Sequence, residues 1–302
     1  MAVELCADIE RTIFELSVAA TPRMARWLPL VAHRVKAWID PLLYGVIVLT
    51  TRKTAIQFAF ALQSNPSLAS HIRTLHLGPC VGYFPGRIIL QVLSSQKLQT
   101  DKATSHTLDY LSLHFTDPRL QPFLSFLAPK HLELTSSGFS FDFEDKIPCF
   151  ATDTLYQSRL THLYLMDRWE LWVKWAYMGL FQSLPNVTHL SLLYEGAGFS
   201  FAWSIGMAGE DDEDRLVNMT ATTILEDCLS LEVLLFLTDD TSTLAMTFAS
   251  IEDVRLVVAR KPREVEIQRN WNSYARGGSS INMWSRAEEL VRLRIAQESA
   301  AL

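Results

Sequence analysis

Three histidines recur at one place in a repeated pattern. His131, His162 and His189 each stand just ahead of a leucine in the runs KHLEL (130–134), LTHLYL (160–165) and VTHLSL (187–192). Related runs are IRTLHL (72–77), LDYLSL (108–113) and LEVLLFL (231–237). In a Leu-x-x-Leu-x-Leu strand the leucines face the core, and the third and fifth positions face the other way. The third positions are then Thr74, Tyr110, His131, His162 and His189. The fifth positions are His76, Ser112, Glu133, Tyr164 and Ser191. With neighbouring strands about 4.8 Å apart, the three histidines form a ladder flanked by Tyr110 and Tyr164. Neighbouring imidazoles are a chemistry zinc accepts, but Glu133 is the one nearby carboxylate this register supplies. A tyrosine-rich row is a good protein-contact platform. Tyr110, His131, His162, Tyr164 and His189 are therefore assigned to partner binding, with His162 and Tyr164 expected to project from the middle of a concave face. The bland alternative, a row of surface side chains without a role, stays open.

Other catalytic arrangements are missing. The chain has no Gly-x-Ser-x-Gly, no Walker loop and no His-Glu-x-x-His. Cys6, Cys80, Cys149 and Cys228 are widely spaced without a Cys-x-x-Cys pair, which suits free thiols better than zinc ligation. The Gly-x-Gly at Gly196 and Gly198 lacks the context of a dinucleotide loop. The acidic run Glu210–Asp214 lacks the alternating oxygens and central glycine of a calcium loop, and reads as a solvated loop leading into a helix from Arg215 to Cys228. No enzyme, metal or cofactor is expected.

Elements that position the ladder follow from the spacing. Corresponding leucines lie 36 residues apart from Leu75 to Leu111 and 21 apart from Leu111 to Leu132. Each interval holds a strand and a crossover, as parallel strands require. Helices are expected at 54–64, from Pro85, at 120–127 and at 169–184, the last rich in tryptophan. A first strand is expected at 46–49 and a further one at 254–258, with an extra strand or extended loop at 138–143. The fold class is α/β: an irregular leucine-rich-repeat-like arc of parallel strands with helices outside. Its domain runs over 46–302 and ends in a cap helix, Met283–Gln297, whose apolar face is Trp284, Ala287, Leu290, Val291 and Leu293.

Residues 1–45 form a separate helical segment. Ile9, Ile13 and Leu16 lie near helical spacing. Trp27, Leu28, Val31, Val35, Trp38 and Ile39 make a second stripe, interrupted at Pro29 and ended by Asp40-Pro41. The stretches Leu5-Cys-Ala-Asp-Ile9, Ile13-Phe14 and Leu30-Val-Ala-His-Arg-Val-Lys-Ala-Trp38 resemble an F-box. The junction Asp40–Leu49 and the ending around Gly277, Gly278 and Trp284 are similar to fungal (basidiomycete-type) F-box-like proteins. Cys6 and Ala32 stand where that family has Pro and Cys. The resemblance implies a substrate-recognition adaptor of a ubiquitin ligase. It would dock a Skp1-type adaptor through Leu5, Ile9, Ile13, Phe14, Leu30 and Val31, and hold a protein target on the arc. The alternative is a non-catalytic interaction scaffold whose helical segment only caps the array, which needs its open end covered.

The 302 residues carry 49% hydrophobic and 20% charged side chains, enough for a sizeable core. A net charge of −6 argues against general nucleic-acid binding. No signal peptide or membrane span is read near the N-terminus, so a cytoplasmic or nuclear location is expected.

Overall fold

A computed structural model describes residues 6–99, 108–114, 120–135, 154–166, 169–195, 210–263, 265–267 and 283–301. Eight strands make one open sheet, all parallel and in sequence order. They are β1 (Val46–Leu49), β2 (Thr74–Leu77), β3 (Tyr110–Leu113), β4 (His131–Thr135), β5 (His162–Met166), β6 (His189–Tyr194), β7 (Val233–Thr238) and β8 (Leu256–Arg260). The α-helices of the described residues are α1 (Ala7–Ala20), α2 (His33–Tyr44), α3 (Arg52–Ser64), α4 (Tyr83–Gln99), α5 (Gln121–Leu127), α6 (Thr154–Arg159), α7 (Trp169–Tyr177), α8 (Glu210–Asp227), α9 (Thr241–Thr247) and α10 (Met283–Ala301). Among the described residues, one helix from α3 to α9 lies between each pair of successive strands, because a parallel pair cannot be joined by a tight turn.

The leucines set the register. Leu75, Leu111, Leu132, Leu163, Leu190, Leu234 and Leu256 are aligned across the sheet. They pack with Ala55, Leu62, Ile89, Trp172, Val217 and Ile224 from the helices in one continuous apolar core. Each fully buried leucine contributes roughly 1.5–3 kcal/mol. The leading apolar residue of each run, such as Ile72, Leu108, Leu160, Val187 and Leu231, precedes its strand and is buried too. Trp172 anchors this core. Its indole Nε1 donates to the Leu193 carbonyl at 3.1 Å, and its ring meets Phe236 edge-on at 5.6 Å.

Several boundaries differ from those read off the sequence. Asp40-Pro41 does not end α2, which runs through Pro41 to Tyr44. Proline removes one helical N–H, but Val35 and Ile39 are buried against Ala25 and Leu28, and Leu43 continues the stripe. Lys36 Nζ also ties to Asp40 Oδ2 at 2.8 Å, one turn apart. The acidic run is not a loop, since α8 starts at Glu210. Carboxylates suit the positive start of a helix. The tryptophan-rich helix stops at Tyr177, short of Leu184. Gly179 follows with φ +67°, a left-handed conformation that ends helices, and a 3₁₀ turn takes over at Leu180–Ser183. The extended stretch expected at 138–143, the glycine-rich segment 196–209 and the Gly277-Gly278 pair lie outside the described residues. No helix of the described residues is long and apolar enough to cross a membrane.

Beyond the large core, Ala25, Leu28, Val35 and Ile39 form a small core of their own in the N-terminal helical segment. Its helix α2 leads into β1 and packs against the turn Pro66–His71.

Candidate functional site

The alternating residues that leave the leucine face come together on the other side of the sheet. Tyr110, His131, His162 and His189 are direct neighbours across β3 to β6. Their rings stack one on the next. Tyr110 and His131 have centroids 5.5 Å apart, His131 and His162 4.0 Å, and His162 and His189 4.2 Å, with the last pair only 6° from parallel. The spacing between strands imposes the ladder, because equivalent side chains on parallel strands repeat with the strand separation. Burial holds these imidazoles neutral. It pulls His131 down to about 4, with the His189 charge acting the same way, and His162 down to about 3, with His131 and His189 adding. His189 is lowered by burial, against the pull of Glu288 and Glu232.

A second row runs parallel to it: His76, Ser112, Glu133, Tyr164 and Ser191, each beside the next. All five are buried. His76 Nδ1 and Ser112 Oγ are 2.9 Å apart. Tyr110 donates its hydroxyl to Glu133 Oε2 at 3.0 Å, and His114 Nε2 lies 3.4 Å from Glu133 Oε1. Burial by itself would raise the Glu133 carboxyl, but His114, His76 and Ser112 outweigh it and lower it. Burial also takes His76 down to about 4. A hydroxyl beside an imidazole is the pairing of a nucleophile with its base. Here Ser112 has 0% and His76 2% exposure, so the pair fills a polar interior and offers no substrate an approach.

Helix α10 covers the ladder. Trp284 meets His162 and His189 edge-on, at 5.5 Å and 5.4 Å. Trp284, Ala287 and Val291 form a second apolar core with Tyr164, Met166, Leu193, Val233, Leu235, Leu237 and Val257. Arg294 donates to the Leu256 carbonyl. Glu288 Oε1 stands 3.1 Å from His189 Nε2.

This corrects three readings. The C-terminal helix lies across the histidine side of β5 to β8 and is not an end cap. Leu290 and Leu293, placed on its apolar face from the sequence, are exposed, and the inward stripe is Trp284, Ala287 and Val291. Tyr164, expected to project into solvent, is 4% exposed, and His189 is 5% exposed. Tyr110, His131 and His162 are half-buried. The physical reason is in β7, whose burial is complete on both faces. Val233, Leu235 and Leu237 point to the same side as the histidines, so that side needs an apolar cover. The run LEVLLFL carried this signal: its alternate positions are apolar on both faces. Glu288 had no comparable signal, because only the docking of α10 brings it to His189.

At the other end of the chain, Ile9, Ile13, Leu30 and Val31 are 53%, 48%, 75% and 65% exposed. Phe14 is half-buried, its ring 6.4 Å from Trp38. Leu5 lies outside the described residues. The expected docking residues and the expected partner-binding residues therefore belong to two separate surfaces, one open and one largely covered.

No family model, curated protein or solved structure matches the chain.

Proposed function

We propose that the chain is a non-catalytic adaptor of the F-box type. In this reading its N-terminal helical segment docks a Skp1-type adaptor protein through Ile9, Ile13, Phe14, Leu30 and Val31, with Leu5 preceding them. The parallel sheet is the inner layer of an irregular leucine-rich-repeat arc that holds a protein target for ubiquitin transfer in the cytoplasm or nucleus. One observation supports it most. The helical segment buries its own small core of Ala25, Leu28, Val35 and Ile39, yet leaves Ile9, Ile13, Leu30 and Val31 uncovered. Apolar side chains gathered on one small unit and left in water mark an interaction surface. With Tyr164 and His189 under α10, the target is assigned to the Tyr110 end of the ladder, where Tyr110 stacks on His131.

A specific observation favours a second reading. Helix α2 leads into β1 and packs against the turn Pro66–His71, so the segment adjoins the first strand of the sheet whether or not it docks anything. In that case the protein is an interaction scaffold with a capped end.

Co-purification of the full chain with a Skp1-type adaptor separates the two. The adaptor reading expects a stable complex that Leu30→Asp with Val31→Asp abolishes. Absence of a complex from a chain with native helical content leaves the scaffold.

A further inference from the structure

Thr161 and Thr188 stand in the same place before His162 and His189, and their hydroxyls do the same two things. Thr161 Oγ1 donates to the Lys130 carbonyl at 3.2 Å and lies 2.9 Å from His162 Nδ1. Thr188 Oγ1 donates to the Thr161 carbonyl at 3.3 Å and lies 2.8 Å from His189 Nδ1. A hydroxyl has a single hydrogen. When the carbonyl takes it, the ring nitrogen is the donor of the second bond. In that arrangement both Nδ1 atoms carry the proton, and both neutral rings present Nε2 as a lone pair.

That tautomer creates a conflict at His189. Its Nε2 faces the Glu288 carboxylate at 3.1 Å. A lone pair and a carboxylate oxygen repel at that separation unless a cation lies between them. His189 Nε2 is buried and has no hydrogen-bond partner among the described residues. One ligand atom each from His162, His189 and Glu288 lies within 4.8 Å of the other two. With both Nδ1 atoms engaged by threonines, the nitrogens on offer are the two Nε2.

We propose that His162, His189 and Glu288 bind one divalent transition-metal ion of the zinc class, which fastens helix α10 to the strand ladder. Two imidazoles and one carboxylate are a donor set that zinc takes, with water as fourth ligand. Calcium and magnesium prefer all-oxygen shells. A tetrahedral ion with bonds of about 2.0–2.1 Å draws its ligands to roughly 3.3 Å from one another. The site closes to that size if the two rings tilt together and Glu288, whose side chain is 51% exposed, swings inward. Thr161 and Thr188 then act as positioning residues: they fix the tautomer and orient the rings, as outer-shell partners of ligating histidines do. This site stands independently of the adaptor reading, since none of its residues belongs to the N-terminal segment.

The test uses the full chain, stripped with a chelator and titrated with Co²⁺ and then Zn²⁺. Expected are visible absorption bands of tetrahedral Co²⁺ that saturate at one ion per chain and disappear when Zn²⁺ displaces it. Glu288→Gln, on a half-exposed side chain, keeps the fold and weakens Zn²⁺ binding at least tenfold, whereas Glu289→Gln on the next residue leaves it unchanged. Thr188→Val weakens it roughly tenfold. Bound Zn²⁺ slows amide exchange across 283–301 in the parent chain and not in Glu288→Gln. The proposal is overturned by absence of saturable binding, by binding that Glu288→Gln leaves intact, or by sulfur-to-cobalt charge-transfer bands, which assign the metal to cysteine.

Discussion

The indole of Trp284 stands edge-on to the imidazole of His162, with ring centroids 5.5 Å apart and planes at 83°. The same indole meets His189 at 5.4 Å and 87°. Aromatic pairs favour this arrangement because the positive edge of one ring meets the negative face of the other. A side chain from the last helix thus closes the face that the repeat pattern would have left to a partner.

Removing that anchor should release the helix. Trp284→Ala takes away a 4% exposed indole. Truncations of this kind cost about 3–5 kcal/mol. The expected outcome is a lower urea midpoint and faster amide exchange in 283–301, with exchange in β1 to β3 little changed. A midpoint equal to the parent's would mean that the helix is not docked through Trp284.

Tyr164 separates burial from hydrogen bonding. Its hydroxyl has no hydrogen-bond partner among the described residues, and burial raises its pKa well above the usual phenol range. A buried hydroxyl without a partner carries a desolvation cost of roughly 1–3 kcal/mol. Tyr164→Phe should therefore match the parent in stability or exceed it by about 1 kcal/mol. Tyr164→Ala should cost about 3–5 kcal/mol. Urea denaturation reads both. A strongly destabilised Phe variant would show that the hydroxyl has a partner after all.

The buried histidines give stability a pH slope. His76 is held neutral by burial, at about 4 in the folded chain, against about 6.5 when unfolded. Between those values the unfolded chain binds more protons. Stability is then full above about pH 6.5 and declines as pH falls towards 4. At about 1.4 kcal/mol per pKa unit, His76 by itself accounts for roughly 3 kcal/mol. His76→Gln should flatten the decline of the urea midpoint between about pH 6.5 and 4.5. Glu133, with its folded pKa lowered, adds a further loss only below its unfolded value of 4.5. A His76→Gln profile as steep as the parent's would contradict this assignment.

Substitutions on the open apolar surface should behave oppositely. Ile13→Ser and Leu30→Ser remove side chains that are 48% and 75% exposed. Changes at such positions usually stay within about 0.5 kcal/mol. The melting temperature should hold while binding of a hydrophobic dye falls. A large drop in melting temperature would place these residues inside the helical segment's core.

The sheet was legible because two periods agree in it. Leu75 and Leu77, Leu111 and Leu113, Leu132 and Leu134, Leu163 and Leu165 repeat at spacing two, and the intervals between pairs leave room for a crossover. That combination admits parallel strands and fixes which side each histidine takes. The cover was not legible in the same way. The stripe Trp284, Ala287, Val291 says that α10 buries a face, but a stripe does not name the surface it meets. The doubly apolar run Val233–Leu237 was the counterpart, and only the two together identify the contact. Local chemistry misled at Pro41, where the packing of Ile39 outweighs one lost hydrogen bond.

Because the strands are laid down in sequence order, each is able to pair as soon as it is made. The histidine side of β5 to β8 cannot close on that schedule, since its lid is residues 283–301. Tyr164, Leu193 and Leu235 therefore lack the cover of Trp284, Ala287 and Val291 until α10 has been made.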